Sequence, residues 1–218
     1  MTSYILDVTT VKPLSKNKAK QAVILCHGYG GDGKDISTLA INWQRFLPDT
    51  TFICPNAPEV CSINPQGFQW FDLETEQEDV ILEKSLLAEE KLNAFLDEVL
   101  NHLQLEPKNL ALLGFSQGCM MSIQVAFKNK KKLSCVIGYS GKVINQKHLS
   151  NNINSKPKLF LMHGDNDTIV SPIHLLEAKE YFVNHGIKIK TKLFKNCEHR
   201  IPVEGTSLGL QFLRKNLL

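Results

Sequence analysis

The 218-residue sequence lacks a strong excess of charge, a long apolar run and any paired-cysteine motif. Its net charge of +3 is small, and no basic stripe is interleaved with aromatic residues, so we expect no nucleic-acid partner. No segment approaches the roughly 18 apolar residues that a membrane-spanning helix needs. Residues 1–20 are polar and contain lysines without an apolar signal-peptide core, which predicts a cytoplasmic protein.

The six cysteines show no metal-site spacing, because none of them forms a CxxC pair. Cys26, Cys54 and Cys135 lie inside apolar, strand-like runs and are expected to be small core residues. A reducing compartment would keep these thiols free. We therefore expect neither a bound metal nor disulfides.

The segment 128–132 contains four lysines and is the most basic part of the chain. We favour a solvated helix C-terminus, where positive side chains suit the helix dipole. A patch for transient contact with an anionic membrane surface, or with a partner, is the alternative.

Apolar runs alternate with helix-like segments along the chain, and most of these runs show no apolar/polar alternation. This pattern is typical of parallel strands that are covered by helices on both faces. We therefore predict one α/β domain over residues 1–218, with a mostly parallel central sheet. The expected strands are 21–26, 51–54, 109–113, 133–138, 158–162 and 187–194, with 4–11 as an antiparallel edge strand. The expected helices are 35–46, 78–102, 117–128, 172–185 and 204–217.

The pentapeptide at residues 114–118, Gly-Phe-Ser-Gln-Gly, lies between an apolar run and a helix-like run. A serine on such a strand-to-helix turn is typical of a nucleophile elbow, in which the turn strains the serine backbone. Glycines two positions before and after remove side chains that would crowd the turn. The pattern predicts that Ser116 is the nucleophile of an acyl-transfer site.

A serine nucleophile needs a base and an orienting acid, which follow it in the chain order Ser, Asp or Glu, His in α/β-hydrolases. The carboxylate candidates are Asp165 and Asp167, after the strand 158–162. We favour Asp167 because Asp165, next to a glycine, is better placed to turn the loop. His199 is the histidine in the expected loop, between the last strand and the last helix. His27 and His163 end strands and are expected to form structural hydrogen bonds.

The developing oxyanion needs hydrogen-bond donors, and the main-chain N–H after the nucleophile, that of Gln117, is one candidate. The glycine-rich loop at residues 27–33 follows an early strand, and the N–H of Tyr29 is the candidate for the second. A phosphate-binding loop is the alternative, but the sequence has neither its Gly-Lys-Ser/Thr ending nor the GxGxxG spacing.

The sequence resembles the small carboxylesterase and acyl-protein thioesterase (lysophospholipase-like) family over nearly the whole chain. The resemblance is carried by the glycine-rich loop, the pentapeptide, the loop with Asp167, and His199. The segments 55–58 (Pro-Asn-Ala-Pro) and 70–72 (Trp-Phe-Asp) are also similar to family segments. The resemblance implies a triad of Ser116, Asp167 and His199, with the amides of Tyr29 and Gln117 as the oxyanion hole. It also implies hydrolysis of esters or thioesters of small molecules, acylated lipids or acylated proteins, without cofactor or metal, and a homodimer. The sequence departs from the family pattern in two places. Tyr29 stands where the family often has leucine, and Arg200 and Ile201 stand where small residues are common in the family.

The interval 142–157 leaves no room for a large lid, so we expect an open groove. Its predicted lining is 63–73 and 139–141, with Trp70, Phe71 and Leu73 as substrate-binding candidates. Core packing of Trp70 and Phe71 is the equally weighted alternative. A catalytically idle hydrolase-fold binding protein is the alternative to an enzyme, although no triad or glycine position is missing.

Overall fold

The computed structural model describes residues 4–73 and 77–218. Its central sheet has seven strands in the order β1-β3-β2-β6-β7-β8-β9. Strand β1 pairs antiparallel with β3, and the other neighbours in the sheet are parallel. The strands of this sheet are β1 Val8–Val11, β2 Gln21–Cys26, β3 Thr50–Pro55, β6 Leu110–Phe115, β7 Cys135–Tyr139, β8 Lys158–Gly164 and β9 Ile189–Phe194.

A small hairpin of β4 Glu59–Val60 and β5 Phe68–Gln69 stands beside the main sheet. The helices are α1 Gly33–Trp43, α2 Glu78–Leu103, α3 Gln117–Lys128, α4 Gln146–Ser150, α5 Ile173–Asn184 and α6 Val203–Leu217, with 3-10 turns at Gln44–Phe46 and Pro107–Asn109. None of the helices in the described part of the chain combines the length and apolarity that crossing a membrane requires.

Two hydrophobic clusters cover the two faces of the sheet. Alternate residues of β2 point to opposite faces, as strand geometry requires. Ile24 joins the cluster that holds α2, α3 and α5, whereas Leu25 joins the cluster that holds α1 and α6. Helices therefore cover both faces of a mostly parallel sheet, which is the predicted α/β-hydrolase architecture.

The predicted and observed bounds are identical for β2 and α3, whereas β6, predicted at 109–113, spans Leu110–Phe115. The edge strand β1 is shorter than predicted, because only residues 8–11 pair with β3. The hairpin β4–β5 and the short helix α4 were not predicted. Two-residue strands and a five-residue helix are too short to produce a readable periodicity.

Candidate active site

The predicted site residues come from four separate segments that meet at one edge of the sheet. Tyr29 follows β2, Ser116 follows β6, Asp167 follows β8 and His199 follows β9. Parallel strands bring their carboxyl ends to the same edge, which is where α/β proteins bind their ligands. The fold thus gathers residues that lie up to 170 positions apart in the sequence.

Ser116 occupies the turn between β6 and α3 in a strained backbone conformation, with φ 53° and ψ −118°. Residues other than glycine rarely adopt this region, and it is found at functional sites where the surrounding structure enforces it. The Ser116 N–H donates to the carbonyl of Tyr139 at 2.8 Å, which ties the turn to β7. The residue is largely buried, with 7% of its surface exposed.

The glycines on either side of Ser116 allow the main chain to pack closely. A Cβ at Gly114 would overlap the carbonyl group of Gly118 one turn later. A Cβ at Gly118 would overlap the carbonyl group of Cys26 at the end of β2. Glycine is therefore required at both positions for α3 to start directly against the sheet.

His199 lies between Ser116 and Asp167 and is within hydrogen-bond distance of both. Its Nε2 is 3.0 Å from the Ser116 Oγ, and its Nδ1 is 2.8 Å from the Asp167 Oδ2. An ionised carboxylate can only accept, so Nδ1 carries the proton and Nε2 is free to accept the serine hydroxyl proton. This arrangement can turn a serine hydroxyl into a nucleophile.

The Asp167 carboxylate is held from two sides. Its Oδ1 accepts the main-chain N–H groups of Ile169 at 3.0 Å and Val170 at 2.9 Å, while its Oδ2 faces His199. Burial acts to raise the pKa of Asp167, but these amides and His199 outweigh it, and the net pKa lies below its usual value. Asp167 is therefore ionised at neutral pH.

Asp165, the other carboxylate candidate, has a different hydrogen-bond partner. It is exposed, and its Oδ1 accepts the N–H of Cys197 at 3.4 Å. Its own N–H donates to the carbonyl of Phe194, so both bonds connect Asp165 to β9 and the segment that follows it.

The predicted oxyanion donors are the N–H groups of Tyr29 and Gln117, which directly follow Gly28 and Ser116, and a Cβ built at Gly28 would lie 3.2 Å from the Ser116 Cβ. Among the described residues, neither N–H donates a hydrogen bond to another group. The side chain of Gln117 is buried and clamps the main chain of the hairpin segment. Its Oε1 accepts from the Trp70 N–H at 2.8 Å, and its Nε2 donates to the Phe71 carbonyl at 2.6 Å. The sequence had suggested only a main-chain function for Gln117.

His27 and His163 make the structural hydrogen bonds that their positions predict. The Nδ1–H of His27 donates to the Gly28 carbonyl at 2.7 Å, and its Nε2 accepts from the Ala57 N–H at 2.9 Å. The Nε2–H of His163 donates to the Val170 carbonyl at 2.8 Å. Burial lowers the pKa of both histidines, whereas nearby carbonyls and carboxylates raise it. The effect of burial is larger, so both pKa values lie below the ordinary value.

Two of the three predicted substrate contacts of the hairpin segment, Trp70 and Phe71, need correction, whereas Leu73 stays a prediction. Trp70 and Phe71 are fully buried in the core, and the Trp70 Nε1–H donates to the His27 carbonyl at 3.0 Å. Their burial favours the core-packing alternative, because a side chain without exposed surface cannot contact substrate. Leu73 is 41% exposed, but none of the three lines the cavity beside His199.

That cavity, of about 510 Å³, lies between α1 and the loop before α6. Neither segment 63–73 nor segment 139–141 contributes to its walls. Sequence reasoning missed its α1 residues, Ile36 and Leu39. The available signal was the position of α1 directly after the glycine-rich loop.

The six cysteines are free and buried. Burial raises the pKa of Cys26, Cys119 and Cys135 to about 12, so these thiols are protonated and unreactive at neutral pH. Within residues 4–73 and 77–218, no cluster of three or more His, Cys, Asp or Glu side chains could hold a metal ion.

Comparisons with known proteins agree with the fold. The crystal structure of esterase PE8 superposes with a TM-score of 0.93 at 35% identity, over 97% of this chain and 99% of that one. The chain is an α/β-hydrolase.

The family follows from the sequence comparison. The model of the phospholipase/carboxylesterase family matches residues 9–217, and the chain belongs to this family. Acyl-protein thioesterase 1 of Aspergillus fumigatus is 32% identical over 94% of this chain and 90% of its own length. The corresponding protein of Kluyveromyces lactis is 27% identical over 97% and 99%. The chain is therefore a serine hydrolase that acts on carboxylic esters or thioesters.

Replacing Gly118 tests the tight packing at the elbow. We expect Gly118→Ala to lower the free energy of unfolding by about 3 kcal/mol or more, since main-chain atoms must move apart. Gly186→Ala is the control: Gly186 has a positive φ of 65°, which Gly118 does not, but the nearest neighbour of an added Cβ would be a lysine side-chain end 3.8 Å away. It should cost about 1 kcal/mol. Urea denaturation of both variants measures the difference, and equal losses would contradict the packing argument.

Lowering the pH tests the neutral state of His27, because protonation would remove the acceptor for the Ala57 N–H. The pKa of His27 is lower in the folded protein than in the unfolded chain, where it is about 6.5. Neutral His27 therefore adds stability to the folded protein above pH 6.5, and this stability is lost as the pH falls. His27→Gln should therefore be less stable at pH 7.5 but lose less stability than wild type between pH 7.5 and 5.5. Urea denaturation at both pH values checks this, and parallel losses would show that His27 does not titrate on unfolding.

Proposed function

We propose that Ser116, His199 and Asp167 form the catalytic triad of this hydrolase, and that the reaction proceeds through an acyl-enzyme on Ser116. The observation that carries the proposal is the pair of distances at His199, 3.0 Å to the Ser116 Oγ and 2.8 Å to the Asp167 Oδ2. The strained Ser116 backbone and the flanking glycines support the same assignment.

In the first step, Ser116 attacks the carbonyl carbon while its proton passes to the Nε2 of His199. Asp167 holds the Nδ1 proton and stabilises the positive charge that forms on the ring. The carbonyl oxygen gains negative charge, which the N–H groups of Tyr29 and Gln117 would stabilise as hydrogen-bond donors. His199 then gives its proton to the leaving alcohol or thiol, which departs.

In the second step, water attacks the acyl group on Ser116 by the same route. His199 takes a proton from the water. The carbonyl oxygen again gains negative charge, which the N–H groups of Tyr29 and Gln117 would stabilise. Collapse of the intermediate releases the carboxylic acid and returns the proton to Ser116. We propose that this cycle uses no cofactor and no metal, since its acid, base and nucleophile all come from the protein.

For the substrate we propose a small ester or an acylated lipid or protein. Support comes from the acyl-protein thioesterase relatives and from the phospholipase/carboxylesterase family match. Short-chain esterase, protein depalmitoylase and lysophospholipase activities all fit this chemistry. The family match gives no support to the idle binding protein. We also propose a cytoplasmic location, a homodimer and transient membrane-surface contact, each of which rests on the sequence or on the resemblance.

A fluorophosphonate probe tests the nucleophile. We expect one covalent adduct, mapped to Ser116 by mass spectrometry, and a loss of ester turnover of roughly 10⁴-fold or more in Ser116→Ala. His199→Ala should also lose the adduct, because no base would activate the serine. Labelling of Ser116→Ala, or turnover by it at the wild-type rate, would disprove the assignment.

The two aspartates of the loop after β8 give a matched pair of variants. Asp167→Asn should lower kcat by roughly 10³- to 10⁴-fold, because the amide favours the wrong His199 tautomer. Asp165→Asn removes the same charge from the same loop but should keep a rate close to wild type. Stopped assays with a p-nitrophenyl ester measure both, and a larger effect at Asp165 would reverse the assignment.

A further inference from the structure

The cavity beside His199 has the size of a small-molecule site. Its volume of about 510 Å³ lies within the range of ligand pockets in proteins. The inner wall is apolar and comes from Ile36, Leu39, Phe115 and Ile201. The Phe115 ring also packs against the His199 imidazole, with ring centroids 4.9 Å apart.

Polar side chains complete the wall of the same cavity. Asp35 and Asn42 come from α1, and Arg200 comes from the loop before α6. All three are exposed residues, so they lie toward solvent while the apolar side chains are at least partly buried. The cavity therefore suits a molecule with an apolar body and a polar far end.

The chemistry decides which half of a substrate enters this cavity. The leaving-group atom must receive its proton from the Nε2 of His199, whereas the acyl group stays bonded to Ser116. Three consecutive residues, His199, Arg200 and Ile201, line the cavity. A group that departs on the His199 side therefore enters this space.

We propose that this cavity binds the leaving group, which is an alcohol or thiol with an apolar body of several carbon atoms and a polar far end. The inference rests on the proposed function, since it requires the acyl-enzyme on Ser116. It makes Ile36, Leu39 and Ile201 specificity-determining residues for the leaving group, while the acyl chain binds elsewhere.

The reverse of the first step tests the cavity directly. When an alcohol occupies it, the alcohol oxygen attacks the acyl carbon of the acyl-enzyme and His199 takes the alcohol proton. A new ester forms, the bond to the Ser116 Oγ breaks, and the proton returns to Ser116. The ratio of ester product to acid product thus reports alcohol binding after the original leaving group has gone.

The experiment uses p-nitrophenyl acetate as acyl donor and compares benzyl alcohol with methanol as acceptors, with products measured by gas chromatography. Ile36→Trp fills the cavity. We expect it to lower benzyl acetate formation, relative to methyl acetate formation, by about tenfold or more. Thr38→Trp, at an exposed position on the same wall, provides a second variant if Ile36→Trp fails to fold.

Ile41→Trp is the matched control, because Ile41 lies on the same helix, is 53% exposed and does not line the cavity. It should leave the benzyl-to-methyl ratio at the wild-type value. An unchanged ratio in both cavity variants would overturn the inference. So would a change in preference between acetyl and octanoyl esters of one alcohol, because the cavity would then hold the acyl chain.

The fluorophosphonate adduct separates this inference from the proposed function. If Ser116 is labelled but the cavity variants keep the wild-type ratio, only the leaving-group assignment fails. If Ser116 is not labelled in folded wild-type protein, the acyl-enzyme itself is wrong, and the leaving-group assignment falls with it.

Discussion

The close contact between the start of α3 and the carboxyl ends of β2 and β6 is the constraint on which the site depends. This contact forces Ser116 into its positive-φ conformation, and glycine at positions 114 and 118 lets the main chains approach. The same contact leaves the first amides of α3 beside the serine, where the helix dipole favours negative charge. One packing interaction therefore positions both the Ser116 hydroxyl and the Gln117 N–H, which is the proposed oxyanion donor.

The hydrogen bonds around the site extend this constraint to loops that the sheet does not hold directly. Two main-chain amides fix the Asp167 carboxylate, which in turn orients His199. On the other side, the buried Gln117 side chain holds the segment at Trp70 and Phe71. Each of these hydrogen bonds has a buried or half-buried partner. Breaking one bond would therefore leave a polar group without a partner, and this cost keeps the network rigid.

The parts of the site that are contiguous in sequence could be predicted, because local chemistry defines them. The elbow around Ser116 and the choice of Asp167 over Asp165 both follow from glycine spacing and turn preferences. The substrate contacts could not be predicted in this way. Trp70 and Phe71 are aromatic residues, which are common both in substrate-binding grooves and in hydrophobic cores. Only the three-dimensional packing shows which of the two they belong to. The cavity residues on α1 match no sequence motif. They line a cavity only because the loop before α6 packs opposite them.

The position of the cavity also changes how the departures from the family pattern are interpreted. Tyr29 is far from Arg200 and Ile201 in the sequence, yet all three line the same space beside His199. A change at Tyr29 leaves its main-chain N–H intact, so the proposed oxyanion donor is independent of the side chain that shapes the cavity. The proposed mechanism thus separates two requirements: main-chain groups and the proposed triad would serve the chemistry, and the side chains that line the cavity would serve selection. Specificity can then differ between members of one family while the reaction stays the same.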